Sequence, residues 1–272
     1  MTSSTPDALW SSRAVRLLHP AAVVCERVRR RGGGGSGLEG IDLAVPVGAR
    51  LLVVSEPDAA GSLLVRILAG LAHRDGGRIR IAGTSRPDAS SQGWGRRIAF
   101  VGPETGLYPW MSAAETLDLA ARLALLDAVT ARRRIREAVD RWGLGVHLDR
   151  PMRRIGLAHL QRTAMAAALL GDPEVVLLDE PLRAVDPDER VRLLRLPGER
   201  RTILIASRYP ASEAGSVNQV VLIRGGRVAV QASVLDLDLR RLPLSHRGIA
   251  ALADQRQRER QRDRPGVGRA SA

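Results

Sequence analysis

The segment Pro173-Glu-Val-Val-Leu-Leu-Asp-Glu-Pro-Leu-Arg-Ala-Val-Asp-Pro187 decides the fold of this chain. Its apolar run, residues 175–178, is short, unbroken and rich in β-branched side chains, which predicts a strand buried on both faces of a parallel sheet. Asp179 and Glu180 follow at the carboxyl end of that strand, where α/β sheets bind their ligands. The segment therefore predicts an α/β fold with two carboxylates at its ligand-binding edge.

The composition limits the class of protein. At 272 residues the chain can bury a sizeable core, as one domain or two closely joined ones. No apolar run reaches the roughly 18 residues of a membrane-spanning helix, so we expect none. Residues 1–20 lack the apolar core of a signal peptide, and the single Cys25 fits a reducing compartment, so we expect a cytoplasmic protein.

The net charge of +13 comes from arginine, because all 42 basic residues are Arg and the chain has no lysine. A GC-rich genome that avoids lysine codons explains this composition without any acidic partner. A nucleic acid or an acidic membrane surface would also suit such a charge. The arginines are spread along the chain and no nucleic-acid-binding motif accompanies them, so we expect no nucleic-acid partner.

The segment 173–187 resembles the Walker B motif and D-loop of ABC-type ATPases, the ATP-binding subunits of ABC transporters. The resemblance implies that Asp179 holds magnesium through water, that Glu180 orients the attacking water, and that Asp186 is the D-loop aspartate. It also implies a P-loop NTPase-type core sheet with an antiparallel β part near the N-terminus and a helical insert. We expect this domain over residues 21–246, with the helical part at about 103–165, an N-terminal extension over 1–20 and a basic disordered tail over 247–272 that starts as a frayed helix.

Residues 49–54 predict a second buried strand, and the sequence from Ser55 to Leu71 resembles a P-loop and the helix that follows it. The working pattern is G-x-x-x-x-G-K-[ST], whose glycines let backbone N–H groups wrap the phosphates while the lysine reaches the outer ones. In one register Gly61 takes the lysine position and Ser62 keeps the magnesium-binding hydroxyl. Shifting by one residue puts Ser62 at the lysine position and loses that hydroxyl. The resulting degenerate loop comprises Pro57, Asp58, Ala59, Ala60, Gly61, Ser62 and Leu63.

The loop chemistry predicts weak or absent binding of ATP and magnesium. A lost charge-assisted hydrogen bond costs about 1.5–3 kcal/mol. A carboxylate such as Glu56 or Asp58, about 5 Å from a phosphate charge, repels it by roughly 3 kcal/mol at an effective dielectric constant near 20. Together these terms weaken binding by about three to four powers of ten. The start of the helix still attracts anions, so weak binding stays open.

Other nucleotide-contacting positions of the family are altered as well. They are the adenine-stacking aromatic near Arg31 or Gly32, the Q-loop glutamine at Pro103 with Glu104 beside it, the signature at Ile155-Gly-Leu-Ala-His159, and the switch histidine at Arg208. Arg208 exchanges no proton at neutral pH, although its cation is able to pair with an anion. His159 has no Cys or His at ligand spacing, which favours an exposed residue over a metal ligand.

The segment Gly-Leu-Tyr-Pro at 106–109 resembles a sequence that is common in exporter-like members of the ABC family. Tyr108 and Trp110 form either a hydrophobic elbow or the surface that meets a transmembrane partner. We favour the partner surface, because exposed aromatics are costly in a chain with only 3% of them. By the same resemblance, the contacts with a second ATPase subunit come from Ile155, Gly156, Ala158 and Asp186.

Three functions follow from these patterns. The first is a degenerate subunit, weak or inactive in hydrolysis, that pairs with an intact ATPase and a permease at the inner face of the membrane. The second is an active transporter ATPase that tolerates the changes. The third is an arginine-rich nucleic-acid binder built on this fold. The strong scaffold and the altered chemistry favour the first.

Overall fold

A computed structural model describes residues 20–32, 37–56, 59–85, 95–198 and 200–262. Its elements, in chain order, are β1 (Ala21–Arg30), β2 (Leu38–Pro46), β3 (Arg50–Glu56), α1 (Ala59–Ala69), β4 (Gly76–Ile81), β5 (Thr84–Ser85), β6 (Ile98–Val101), α2 (Ala113–Leu123), α3 (Ala128–Trp142), α4 (Leu157–Leu169), β7 (Val175–Asp179), α5 (Pro187–Arg195), β8 (Thr202–Ala206), β9 (Gln219–Arg224), β10 (Arg227–Ser233), α6 (Val234–Leu239) and α7 (His246–Arg262). The predicted α/β fold is confirmed. The predicted extension over 1–20 lies outside the described residues except for Pro20.

Two sheets form the scaffold. An antiparallel sheet has the strand order β2-β1-β4-β5, and a larger sheet has the order β10-β9-β3-β8-β7-β6. In the larger sheet β9, β3, β8, β7 and β6 run parallel, and only β10 is antiparallel to its neighbour. The sheets meet where Glu39 N donates to Gly226 O, and a side chain on Gly226 would clash there with the backbone of Gly37.

Three groups of buried apolar side chains fill the interior. One lies between the two sheets and α1, and includes Leu51 and Leu64. A second lies between the other face of β6, β7 and β8 and the helices α4 and α5. A third packs β3, β9 and β10 against α6 and α7, with Leu52 at its centre. Because both faces of β7 and β8 are covered, all five residues of each strand are buried.

Local sequence signals define where the helices begin. Ser112 and Glu115 form a capping box at the start of α2, and Asp127 accepts backbone N–H groups at the start of α3. Asp186 caps α5, whose first residue is Pro187. These caps satisfy N–H groups that have no partner within the helix.

In the segment predicted as a frayed helix and a disordered tail, helix α7 extends as far as Arg262. Ile249, Leu252 and Ala253 repeat at helical spacing and are buried against the core sheet. The polar remainder of the segment hides this short apolar stripe from sequence inspection. Residues 263–272 lie outside the described part of the chain.

Candidate functional site

The candidate site lies at one edge of the core sheet, where three neighbouring parallel strands end. Ala206 of β8 is level with Val53 of β3 on one side and with Asp179 of β7 on the other. The alignment continues beyond the strands, because Glu180 N donates to Ala206 O over 2.9 Å and Ser207 N donates to Val53 O over 3.3 Å. The residues that follow β3, β7 and β8 therefore converge.

The start of α1 brings a hydroxyl to the carboxylate at the end of β7. Ser62 Oγ donates to Asp179 Oδ1 over 2.6 Å, and Asp179 is only 2% exposed. Arg66 Nε lies 3.7 Å from the second oxygen, Oδ2. A hydroxyl and a carboxylate are hard oxygen ligands of the kind that Mg²⁺ prefers, so this pair fits the predicted magnesium role. The geometry corresponds to the register in which Ser62 keeps the hydroxyl.

The position that a P-loop gives to lysine is buried and tightly lined. Gly61 N donates to Ser55 Oγ over 2.9 Å. A Cβ atom on Gly61 would lie 3.2 Å from Ser55 Oγ and 3.4 Å from a methyl group of Val53, so the end of β3 packs closely against the glycine. Ala60 is also fully buried, whereas Ala59 is exposed and Leu63 is half-buried. Pro57 and Asp58 lie outside the described residues.

Glu180 is buried, and two arginines lie beside it. Its Oε1 accepts a hydrogen bond from Arg208 N over 2.8 Å, and the Arg208 guanidinium lies 3.7 Å away. Arg183 lies 4.0 Å from Oε2, which has no hydrogen-bond partner among the described residues. The backbone of Glu180 has a positive φ of 51°, which is unfavourable for a residue other than glycine. The structure around the residue maintains this conformation. The carboxylate is thus fixed in place and partly neutralised.

His246 belongs to the site although no sequence motif marks it. With Ser62, Glu180, Ser207 and Arg208 it lines a cavity of about 10 Å³, close to the volume that one water needs. Its Nε2 lies 2.9 Å from the backbone oxygen of Arg208. Sequence inspection missed it because it follows β8 by almost forty residues, and only the folding of α7 onto the sheet brings it here.

An ion pair behind the site links β8 to the helix after Asp186. Arg190 of α5 pairs with Glu213, which is fully buried. Burial raises the pKa of Glu213, while the Arg190 charge and a hydrogen bond from Ser207 act in the opposite direction. The pair therefore joins the segment that carries Ser207 and Arg208 to the helix that begins at Asp186.

A family model described as "ABC transporter" matches residues 38–183, more than half of the chain. The chain belongs to the ABC transporter family. Two solved structures have the same α/β fold, with antiparallel and mixed sheets as found here. One is titled as the ATP binding subunit of an ABC transporter, with a TM-score of 0.71 and 21% identity over 80% of this chain and 92% of that one. The other is cbiO1 from Clostridium perfringens, with a TM-score of 0.69 and 22% identity over 81% and 92%.

Curated relatives in this ABC family include import and resistance proteins. The nickel import ATP-binding protein NikO of Rhodobacter capsulatus is 32% identical over 72% of this chain and 83% of its own length. The thiamine import ATP-binding protein ThiQ of Haemophilus influenzae is 28% identical over 69% and 89%. The daunorubicin/doxorubicin resistance ATP-binding protein DrrA of Streptomyces peucetius is 30% identical over 75% and 63%. The chain is accordingly an ATP-binding subunit of an ABC transporter.

The segment at the ABC signature position begins α4 without a capping side chain. Gly156 is the N-cap residue and provides no hydroxyl. Ile155 and Ala158 are half-buried, and Gly156 is exposed. The sequence favoured an exposed His159 over a metal ligand, because no Cys or His lies at ligand spacing. It is half-buried instead, and its ring packs edge-on against His147 with centroids 5.2 Å apart. Their spacing of twelve residues gave no local signal.

The two histidines form no metal site by themselves. Across the described ranges no cluster of three or more His, Cys, Asp or Glu is arranged to hold a metal ion. Burial, and then the nearby His147 and Arg162, lower the pKa of His159. Because a neighbouring guanidinium repels cations, the neutral imidazole is the favoured form here.

The aromatic pair predicted to contact a partner lies on the surface. Tyr108 is 50% exposed and Trp110 is 64% exposed, and their rings stack with centroids 5.1 Å apart. Asp186 is also exposed and caps α5. No helix within the described ranges is both long and apolar enough to cross a membrane.

The remaining altered positions are exposed at the surface. Arg31 N donates to Asp75 Oδ2, and Arg30 pairs with Oδ1 of the same carboxylate. These bonds lower the pKa of Asp75 and tie the end of β1 to the residue that precedes β4. Pro103 and Glu104 are exposed in the loop after β6, so neither side chain is packed into the core.

Proposed function

We propose that this chain is a degenerate ATP-binding subunit of an ABC transporter that pairs with an intact ATPase subunit and a membrane permease. The observation that carries the proposal is Gly61 at the lysine position of a chain without any lysine. In a working P-loop that lysine reaches the outer phosphates. Glycine supplies neither the reach nor the charge.

The surroundings of Glu180 support the proposal. A residue that assists water attack must accept or orient a proton, yet this carboxylate accepts the Arg208 amide and faces the Arg208 guanidinium. Arg208 holds the family's histidine position and exchanges no proton at neutral pH. Arg208 therefore occupies Oε1, and only Oε2 is left to orient a water.

One of the two acids expected to repel phosphate, Glu56, has a cationic partner. Glu56 forms an ion pair with Arg224 over 2.8 Å, so its charge is largely compensated. The lost lysine contact, worth about 1.5–3 kcal/mol, still corresponds to about one to two powers of ten in affinity. We expect weak binding of Mg-ATP, and micromolar affinity in titration calorimetry would contradict this.

The partners follow from how the family assembles. Two ATPase subunits close head-to-tail, so each nucleotide lies between one P-loop and the other subunit's signature. The better site then combines the partner's P-loop with the altered signature at 155–159 of this chain. The cbiO1 protein, by its title, is part of the cbiONQ complex, which supports a permease partner. We assign Tyr108 and Trp110 to the contact with that permease, at the inner face of the membrane. We infer export as the direction of transport from the sequence Gly-Leu-Tyr-Pro at 106–109.

A second candidate is an active ABC ATPase. The contact between Ser62 and Asp179 and the retention of Glu180 favour it, as do relatives named as import ATP-binding proteins. Where magnesium binds, Ser62 and Asp179 would hold it, and the ion would neutralise phosphate charge. In that case Glu180 would have to orient water while hydrogen-bonded to Arg208.

The ATPase activity of the reconstituted complex separates the two candidates. We expect Glu180→Gln in this chain to leave the activity nearly unchanged, because no well-held nucleotide lies beside it. The matching change in the partner subunit is the control, and we expect it to abolish hydrolysis. If Glu180→Gln stops hydrolysis, this chain is catalytic and the degenerate assignment is wrong.

A further inference from the structure

The C-terminal helix brings an imidazole to a nucleotide site that has lost its own. Arg208 stands where the family has a histidine, and His246 lines the same small cavity as Ser62, Glu180 and Arg208. We propose that His246 contacts the outer phosphates of bound nucleotide. The inference rests on the proposed function, in that it names a binding residue of the same site.

The hydrogen bond to Arg208 determines which nitrogen of His246 is free. A carbonyl oxygen only accepts, so Nε2, at 2.9 Å from Arg208 O, carries the hydrogen and donates it. Nδ1 has no partner among the described residues. It accepts a hydrogen bond when the ring is neutral and donates one when the ring is protonated, and a protonated ring would pair directly with phosphate.

His246 is held in position by the packing of α7. Ser245 begins the helix, because its Oγ accepts from Gly248 N and its carbonyl oxygen accepts from Ile249 N. Ile249 and Leu252 are fully buried against the core sheet. A side chain that is already fixed loses little conformational entropy on contacting a ligand.

A second anchor ties α7 to the start of the P-loop. Arg224 bridges Glu56, the last residue of β3, and Asp254 of α7, with 2.8 Å on each side. These two carboxylates raise the pKa of Arg224. The helix that carries His246 and the strand that leads into the loop are therefore connected by one guanidinium.

The charge requirement of the site gives His246 its role. Outer phosphates are anionic, and the site has no lysine to meet them. Among the residues that line the cavity, Arg208 and His246 are the ones able to carry positive charge, and the Arg208 guanidinium already faces Glu180. The alternative role for His246 is a purely structural link to the Arg208 backbone. The two roles differ in which nitrogen matters.

Two substitutions separate these roles. In His246→Gln the amide nitrogen reaches about as far as Nε2 and keeps the bond to Arg208 O, but no atom replaces Nδ1. His246→Ala removes both nitrogens. His73→Ala is the matched control, because His73 is exposed on the loop between α1 and β4. NMR titration of the full chain with Mg-ATP and with inorganic triphosphate measures millimolar affinities.

We expect both His246 variants to weaken binding of both probes about tenfold, or about 1.4 kcal/mol, and His73→Ala to change neither. Full affinity in His246→Gln, or no binding of either probe by the unmodified chain at millimolar concentration, overturns the inference. Neither result affects the outcome of the test in which Glu180→Gln is assayed for ATPase activity in the reconstituted complex. A failure here therefore leaves the subunit assignment standing, and a failure there leaves the role of His246 standing.

Discussion

At the residue scale, the glycine at position 61 decides how far this site is from a working P-loop. Ser55 Oγ accepts the Gly61 N–H, and a Cβ at 61 would press on that oxygen at 3.2 Å. Gly61→Lys would add a phosphate contact and strain the loop, while position 103, the signature and Arg208 stay altered. We expect no turnover from this change alone, measured as phosphate release with Mg-ATP. A clear gain in release would show that the missing lysine matters more than the other altered positions.

The single cysteine allows a separate test of the sheet that carries it. Burial, with a smaller contribution from Asp42, raises the pKa of Cys25 to about 12. The thiolate is the reactive form, so the native thiol stays protonated and unreactive below that pH. We expect a thiol reagent at pH 8 to modify Cys25 only after denaturation. Rapid modification of the native chain would contradict the packing of β1.

The chemistry of single residues was readable from sequence only where it is local. The carboxylates at 179 and 180 follow a buried strand, and their place at the sheet edge could be predicted from that strand alone. The pairing of Glu56 with Arg224 could not, because those residues are 168 positions apart and meet only through β3 and β9. The sequence therefore could not show that the Glu56 carboxylate has a cationic partner.

At the element scale, the strands were predictable, whereas the C-terminal helix was predicted only as a frayed one that does not dock on the core. Strands β3, β7 and β8 appear in the sequence as apolar runs, because both faces of each strand are buried. Helix α7 places only a narrow apolar stripe on the sheet, and the arginines around it suggest a solvated tail. Its docking on the sheet depends on tertiary contacts, so the sequence did not place His246 at the site.

The contribution of α7 to stability is testable with a matched pair of leucines. Leu252 is fully buried against the core sheet, whereas Leu239, at the end of α6, is 75% exposed. Leu252→Ala leaves a cavity, and we expect it to lower the free energy of unfolding by about 2–5 kcal/mol. Leu239→Ala should lower it by less than about 0.5 kcal/mol. Denaturant unfolding measures both, and equal effects would mean that α7 does not dock as described.

At the scale of the whole molecule, several arginines form ion pairs that connect different elements of the structure. Arg201 pairs with Asp172, Arg162 with Glu189, and Arg224 with two carboxylates. These pairs join segments that are distant in sequence, and they use guanidinium groups as cross-links between elements. The net charge of +13 therefore accompanies a network of paired arginines spread over the surface, which does not favour the nucleic-acid alternative.

The stacked pair Tyr108 and Trp110 is the feature of the surface that most directly tests assembly. Two half-exposed aromatic rings on a chain this poor in aromatics suit the centre of an interface, where tyrosine and tryptophan carry much of the binding energy. We expect the double change to alanine to weaken binding to the permease by about 2 kcal/mol or more, roughly thirtyfold. The complex would then fall apart or hydrolyse ATP without transport.

Co-purification with the permease and transport in vesicles measure this outcome, and Leu239→Ala serves as the control for loss of an exposed apolar side chain. The folded state should tolerate the double change, because the rings contribute little to the core. Thermal unfolding of the isolated chain should therefore stay within about 0.5 kcal/mol of the unmodified protein. Full assembly and full transport in the double variant would remove Tyr108 and Trp110 from the interface and return them to the role of a hydrophobic elbow.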